Sequence, residues 1–110
     1  ARSKAAELTA IDGLYWAMVD SAHGALIAAG YFPPSPEHVM VDLKEAFVNK
    51  GLLKMKYVLW YRDIHDLHKQ IEHRKISDLQ GIEIDMWQKR AEEFFQVMIA
   101  LVEKIVSNKK

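Results

Sequence analysis

This chain is predicted to be all-α, an antiparallel four-helix up-and-down bundle, and three observations predict it. Apolar residues recur at steps of three and four in four successive stretches, the spacing that draws one stripe along a helix. Short segments rich in glycine, proline, serine or asparagine separate those stretches. No run alternates apolar and polar residues for long enough to read as a strand. At 110 residues the chain is one domain, 1–110, with enough length for its own core.

The first helix is expected from about Ser3 to Ala29, with Leu8, Ile11, Tyr15, Met18, Ala22, Ala25 and Ala29 on its apolar face. Its second half, SAHGALIAAG, is crowded with small residues, which predicts close approach of another helix near Gly24. Gly30 is the stop, followed by the rigid pair Pro33 and Pro34. The second helix opens with Ser35 as N-cap, Pro36 at the first helical position and Glu37 facing the positive end of the dipole. Val39, Leu43, Ala46 and Phe47 form its apolar face, and Asn49 with Gly51 ends it.

The third helix is the stretch Leu53 to Lys75, about six turns long. Its predicted core stripe is Leu53, Tyr57, Trp60, Ile64, Leu67 and Ile71, which leaves Arg62, Asp63, His65, Asp66, His68, Lys69, Glu72, His73 and Arg74 on the remaining surface. It is expected to stop near Arg74 to Ile76, before the polar cluster Ser77, Asp78, Gln80 and Gly81. The fourth runs from about Glu83 to Val106, burying Trp87, Ala91, Phe94, Phe95, Met98, Val102 and Ile105.

Composition narrows the function classes. Lys plus Arg number 15 and Asp plus Glu 15, so no global positive field draws in nucleic acid or an anionic membrane, and any RNA contact is local. The chain has no cysteine, which removes disulfides and thiolate chemistry and fits a reducing, cytoplasmic setting. No apolar run approaches the roughly 18 residues of a membrane span.

Chemistry is dense only on the third helix, where His65, His68 and His73 place three of the five histidines within nine residues. A metal site is incomplete there. His65 and His68 are neighbours, but His73 lies about 12 Å further along the axis, and no metal or cofactor is expected. In a purely solvated reading, Arg62 pairs with Asp66 and His68 with Glu72 across one turn. A third reading is RNA chemistry. Neutral imidazole takes a proton from a ribose 2′-hydroxyl while guanidinium holds the phosphate oxygens, so Arg62, Asp63 and His68 form a metal-free candidate set. Six residues of ideal helix put Arg62 and His68 about 120° and about 9 Å apart, so a composite site needs a second copy of the helix. From Lys54 to Lys75 six basic residues face three acidic ones, a local balance of 6 − 3 = +3. The isolated glycines form no phosphate loop, and no serine has a base and acid arranged beside it.

The features LYWAMVDSAHGALIAAG, PPSPEHVMVDLKEAFVNKGLL, YRDIHDLHKQIEHRKI and AEEFFQVMIALVEKI, in that order, resemble the HEPN family of nucleotide-binding helical domains. The resemblance is to the small prokaryotic members associated with minimal nucleotidyltransferases, and it spans nearly the whole sequence. It implies a HEPN-like homodimer and, in active branches, a metal-independent RNase whose arginine, polar residue and histidine match Arg62, Asp63 and His68. Other branches bind nucleotide, RNA or a nucleotidyltransferase partner without catalysis, as half of a toxin-antitoxin type pair. Arg62, His65, Lys69 and His73 are the expected nucleotide- or RNA-binding residues. The chain carries no nucleotidyltransferase motif of its own, and His73 is a second histidine near the motif. Both readings, binding domain and RNase, stand at this stage.

Overall fold

The computed structural model describes residues 4–73 and 81–108. It is a bundle of four helices, α1 (Lys4–Ala28), α2 (Pro36–Leu43), α3 (Met55–Glu72) and α4 (Gly81–Asn108), with no strand among the described residues. α3 ends at Glu72 with His73 as its C-cap, just short of the expected stop at Arg74 to Ile76; those residues and the turn residues Ser77, Asp78 and Gln80 lie outside the described residues.

The terminators act through backbone geometry. Gly30 has φ +87°, in the left-handed region that a side chain resists. With it there, Tyr31 N–H reaches Leu26 O at 2.8 Å and Gly30 N–H reaches Ile27 O at 3.0 Å, the paired closure that satisfies the last carbonyls of α1. Ser35 caps α2 as predicted, its hydroxyl accepting from His38 N–H at 3.4 Å, with Pro36 at the helix start. The helix then widens into a π-helical turn, Lys44–Val48, and Leu52 N–H closes on Phe47 O at 2.8 Å, with Gly51 at φ +75°.

α1 is the spine. It packs against α2, α3 and most extensively α4, in a molecule measuring 49 × 24 × 18 Å. Its predicted stripe is inside: Ile11, Tyr15, Met18, Ala22 and Ala25 are buried, joined by Val19 and Leu26. Val39, Leu43, Ala46 and Phe47 are all buried from the second helical segment, and Trp87, Ala91, Phe94 and Met98 from α4, whereas the expected Phe95, Val102 and Ile105 are only partly covered.

Two other expectations depart further. The buried face of α3 is turned toward the residue after each stripe position: Val58, Tyr61, His65 and His68 are buried, with Tyr57 and Ile64, whereas Trp60, Leu67 and Ile71 are only partly covered. Trp60 instead lies under two cations, Lys56 at 5.4 Å and Arg90 at 5.3 Å from its ring, at the border of α3 and α4. Tyr61, absent from the stripe, is fully buried because its hydroxyl finds a partner, donating to Pro36 O at 2.8 Å. The second failure is Gly24. It is exposed, and a Cβ there meets nothing within 4 Å, so no described helix approaches it closely. It opens onto an apolar groove between α1 and α4 that includes Ala25, Met98, Ile99 and Val102.

Candidate functional site, a histidine and carboxylate cleft

The rotation of α3 brings its chemistry indoors. His65 and His68 are 6% and 9% exposed, not part of a solvated face, and each meets a carboxylate from another helix. His68 Nε2 lies 2.7 Å from Asp12 Oδ1 of α1, so the imidazole N–H donates to the carboxylate in a short, charge-assisted contact. The ring stacks on Tyr15, with centroids 4.1 Å apart and planes at 15°, and meets the edge of Trp16 at 5.8 Å. One turn earlier, His65 Nε2 is 3.5 Å from Glu37 Oε1 at the start of α2. Its Nδ1 is buried without a hydrogen-bond partner, the nearest carboxylate being that of Asp66 at 3.7 Å. An N–H at that nitrogen would be stranded, which places the proton of the neutral ring on Nε2, toward Glu37.

The surrounding frame is set by the sequence of each element. Ser35 and Pro36 fix where α2 begins, and the Tyr61 hydroxyl ties Pro36 to α3, so Glu37 is held over His65. The Glu37 carboxyl is held below the ordinary carboxylate range, chiefly by hydrogen bonding from its own backbone N–H. Desolvation opposes this as the second-largest influence, and the charge of His65, the Ser35 hydroxyl and the charge of Lys69 each add a smaller lowering. Burial, with the charges of Glu37 and Glu72, pushes the Tyr15 phenol up to about 12.

These groups enclose a cleft of about 160 Å³ lined by Tyr15, Trp16, Pro36, Glu37, His65, His68, Lys69 and Glu72. A shallower depression of about 330 Å³ lies on the outer side of α3, among Asp66, Lys69, Gln70 and His73. The narrower cleft is the better candidate because aromatic faces, two imidazoles and several charged groups converge there. Leaving the imidazoles aside, the carboxylates Glu37 and Glu72, with Asp12 behind His68, outnumber Lys69. No three His, Asp or Glu side chains gather as a metal site among the described residues.

The residues singled out by sequence therefore separate. His65, His68 and Lys69 share the cleft, and Lys69 also lines the outer depression with His73. Arg62 and Asp63 stand apart on the exposed face and bind each other, Arg62 Nη2 to Asp63 Oδ1 at 3.1 Å. The two one-turn pairs of the solvated reading are replaced: Arg62 contacts its neighbour Asp63 rather than Asp66, and His68 reaches Asp12 rather than Glu72. On α3 Arg62 faces solvent and His68 faces α1, in keeping with their spacing on a helix. Sequence reasoning missed Asp12, Trp16 and Glu37 as site residues. Asp12 is 56 residues from His68, and nothing local to it signals the contact; Glu37 read only as a helix-start acid.

Fold and site together define a helical-bundle protein with a histidine and carboxylate cleft between α1, α2 and α3. Comparison with protein-family models, curated proteins and solved structures finds no match to the chain. No helix among the described residues is long and apolar enough to cross a membrane.

Proposed function

We propose that this chain is a HEPN-like, cytoplasmic binding domain that takes a nucleotide or an RNA segment in the α1–α2–α3 cleft, working as a homodimer beside a nucleotidyltransferase partner in a toxin-antitoxin type pair. The observation that carries this reading is the convergence of His65, His68 and Lys69 on a cleft walled by Tyr15 and the 44%-exposed Trp16. An exposed aromatic ring beside cationic and imidazole groups is the chemistry that holds single-stranded nucleic acid, by stacking and by phosphate contact. Exposed Ile27, Ile99 and Val106 are apolar surface of the kind that a protein partner covers.

A second reading, a metal-independent RNase, is favoured by the 2.7 Å contact of His68 with Asp12. A carboxylate that orients an imidazole and stabilises its protonated form is the arrangement that general-base catalysis uses. In that reading His68 takes the proton of the 2′-hydroxyl, and Arg62, with Asp63 beside it, comes from a second copy across the exposed ridge of α3, where Met55 and Leu59 are partly uncovered. The test is fluorescence anisotropy with a labelled single-stranded RNA, paired with a cleavage assay in EDTA. Wild type is expected to bind, with His68→Ala and Lys69→Ala weakening binding. Binding without cleavage selects the first reading; cleavage lost in both Arg62→Ala and His68→Ala selects the second. Absence of binding and of cleavage in the wild type overturns both.

A further inference from the structure

The cleft has a property that nucleotide binding alone does not account for: carboxylates stand beside its histidines and line its wall. His68 Nε2 donates to Asp12 at 2.7 Å, and His65 Nε2 stands 3.5 Å from Glu37, an ion-pair distance, so a carboxylate lies beside each imidazole. The oxygens left over are acceptors, and Glu72 adds another carboxylate to the lining. Between them stand the half-exposed Trp16 and the Tyr15 ring stacked on His68. A phosphate entering this interior meets like charge, whereas a flat ring bearing N–H donors meets acceptors at its edge and aromatic carbon at its face. At about 160 Å³ the cleft is smaller than the roughly 300–1,000 Å³ of sites that enclose drug-sized ligands, which suits one heterocycle and not a whole nucleotide. Lys69 stands where the cleft meets the outer depression and faces both, so a phosphate attached to the ring would lie at the lip, toward His73.

We infer that the cleft is a base-reading pocket, selecting an amino-bearing nucleobase (adenine, guanine or cytosine) over uracil, with Glu37 as the acceptor that makes the distinction. This rests on the nucleotide-binding reading and sharpens it. Cytosine and uracil differ at one ring position, an amino donor in the first and a carbonyl acceptor in the second, so a carboxylate facing that edge attracts one and repels the other. His65, whose Nε2 stands 3.5 Å from Glu37, is then a positioning residue.

The experiment measures binding of cytidine, uridine, adenosine and inorganic phosphate by tryptophan fluorescence and by competition with labelled RNA, in wild type, Trp16→Phe and Glu37→Gln. Cytidine and adenosine are expected to quench the Trp16 emission and displace the RNA. Uridine is expected to bind about tenfold more weakly, the size of one lost charge-assisted hydrogen bond. Inorganic phosphate should produce no quench. Glu37→Gln, at an exposed position in the first turn of α2, keeps the fold, and its amide presents a donor as well as an acceptor, so the preference for cytidine over uridine should collapse. Equal affinity for cytidine and uridine in the wild type, or a preference untouched by Glu37→Gln, overturns the base-reading pocket while RNA binding still stands. Loss of RNA binding together with every nucleoside overturns the underlying nucleotide-binding reading as well.

Discussion

Tyr61→Phe tests how the start of α2 is fastened over the cleft. The ring of Tyr61 is fully buried, and Phe fills the same space, so the substitution deletes one hydroxyl and creates no appreciable cavity. What is lost is the 2.8 Å hydrogen bond to Pro36 O. That carbonyl belongs to the first helical residue of α2, whose ladder already gives it a donor four residues on, so its loss does not leave a wholly stranded acceptor. The cost is therefore the net value of one buried hydrogen bond, about 1 kcal/mol, rather than the larger penalty of an orphaned group. Tyr61→Ala, by contrast, empties an aromatic site and should cost about 3–5 kcal/mol. Urea denaturation followed by circular dichroism reads both, and Tyr61→Phe should lower the midpoint with an unchanged slope. In a domain of this size the corresponding fall in Tm is about 4 °C. A midpoint equal to that of wild type would show that the hydroxyl does not fasten α2, and a loss as large as that of Tyr61→Ala would show that the ring, not the bond, is misplaced.

Three further outcomes are expected. Gly24→Ala, on an open helix face, should stabilise by up to about 1 kcal/mol through helix propensity, whereas Gly51→Ala, at φ +75°, should destabilise by about 1 kcal/mol; thermal melts of the two variants separate these signs. Spectrophotometric titration should show Tyr15 ionising at about 12, with Tyr57 and Tyr61 also above the ordinary value of 10.0, burial being the main cause for all three and the Glu93 hydrogen bond adding at Tyr57. Because the folded values are raised, the fold favours the neutral phenols; that stability is fully present below pH 10 and is lost as pH rises from there through about 12, so alkaline denaturation midpoints should fall across this window. A double-mutant cycle of Asp12→Asn with His68→Asn should return a favourable coupling of about 1 kcal/mol, moderated by the 57% exposure of the Asp12 side chain; zero coupling would remove the Asp12 to His68 contact from the site.

Much of the fold was legible because its signals are local. The α1 stripe from Ile11 to Ala25, the Ser35 and Pro36 start of α2 and the Gly30 stop each depend on residues within a turn or two of one another, and each is found where the sequence puts it. The face of α3 was misread because hydropathy ranks Trp60, Leu67 and Ile71 above His65 and His68. A buried histidine needs polar partners, and here the carboxylates beside them, Asp12 for His68 and Glu37 for His65, come from α1 and α2.

By itself, then, the sequence determined the four helices, the Gly30 stop of α1, the Ser35 and Pro36 start of α2 and the helix on which the chemistry is concentrated. Those properties follow from periodicity and capping, which act along the chain. Only the tertiary structure decided that His65 and His68 turn inward while Arg62 and Asp63 stay in solvent, and that Gly24 stands open. Those outcomes depend on carboxylates, aromatic rings and helix faces brought together from distant parts of the chain, a pairing that no local pattern encodes.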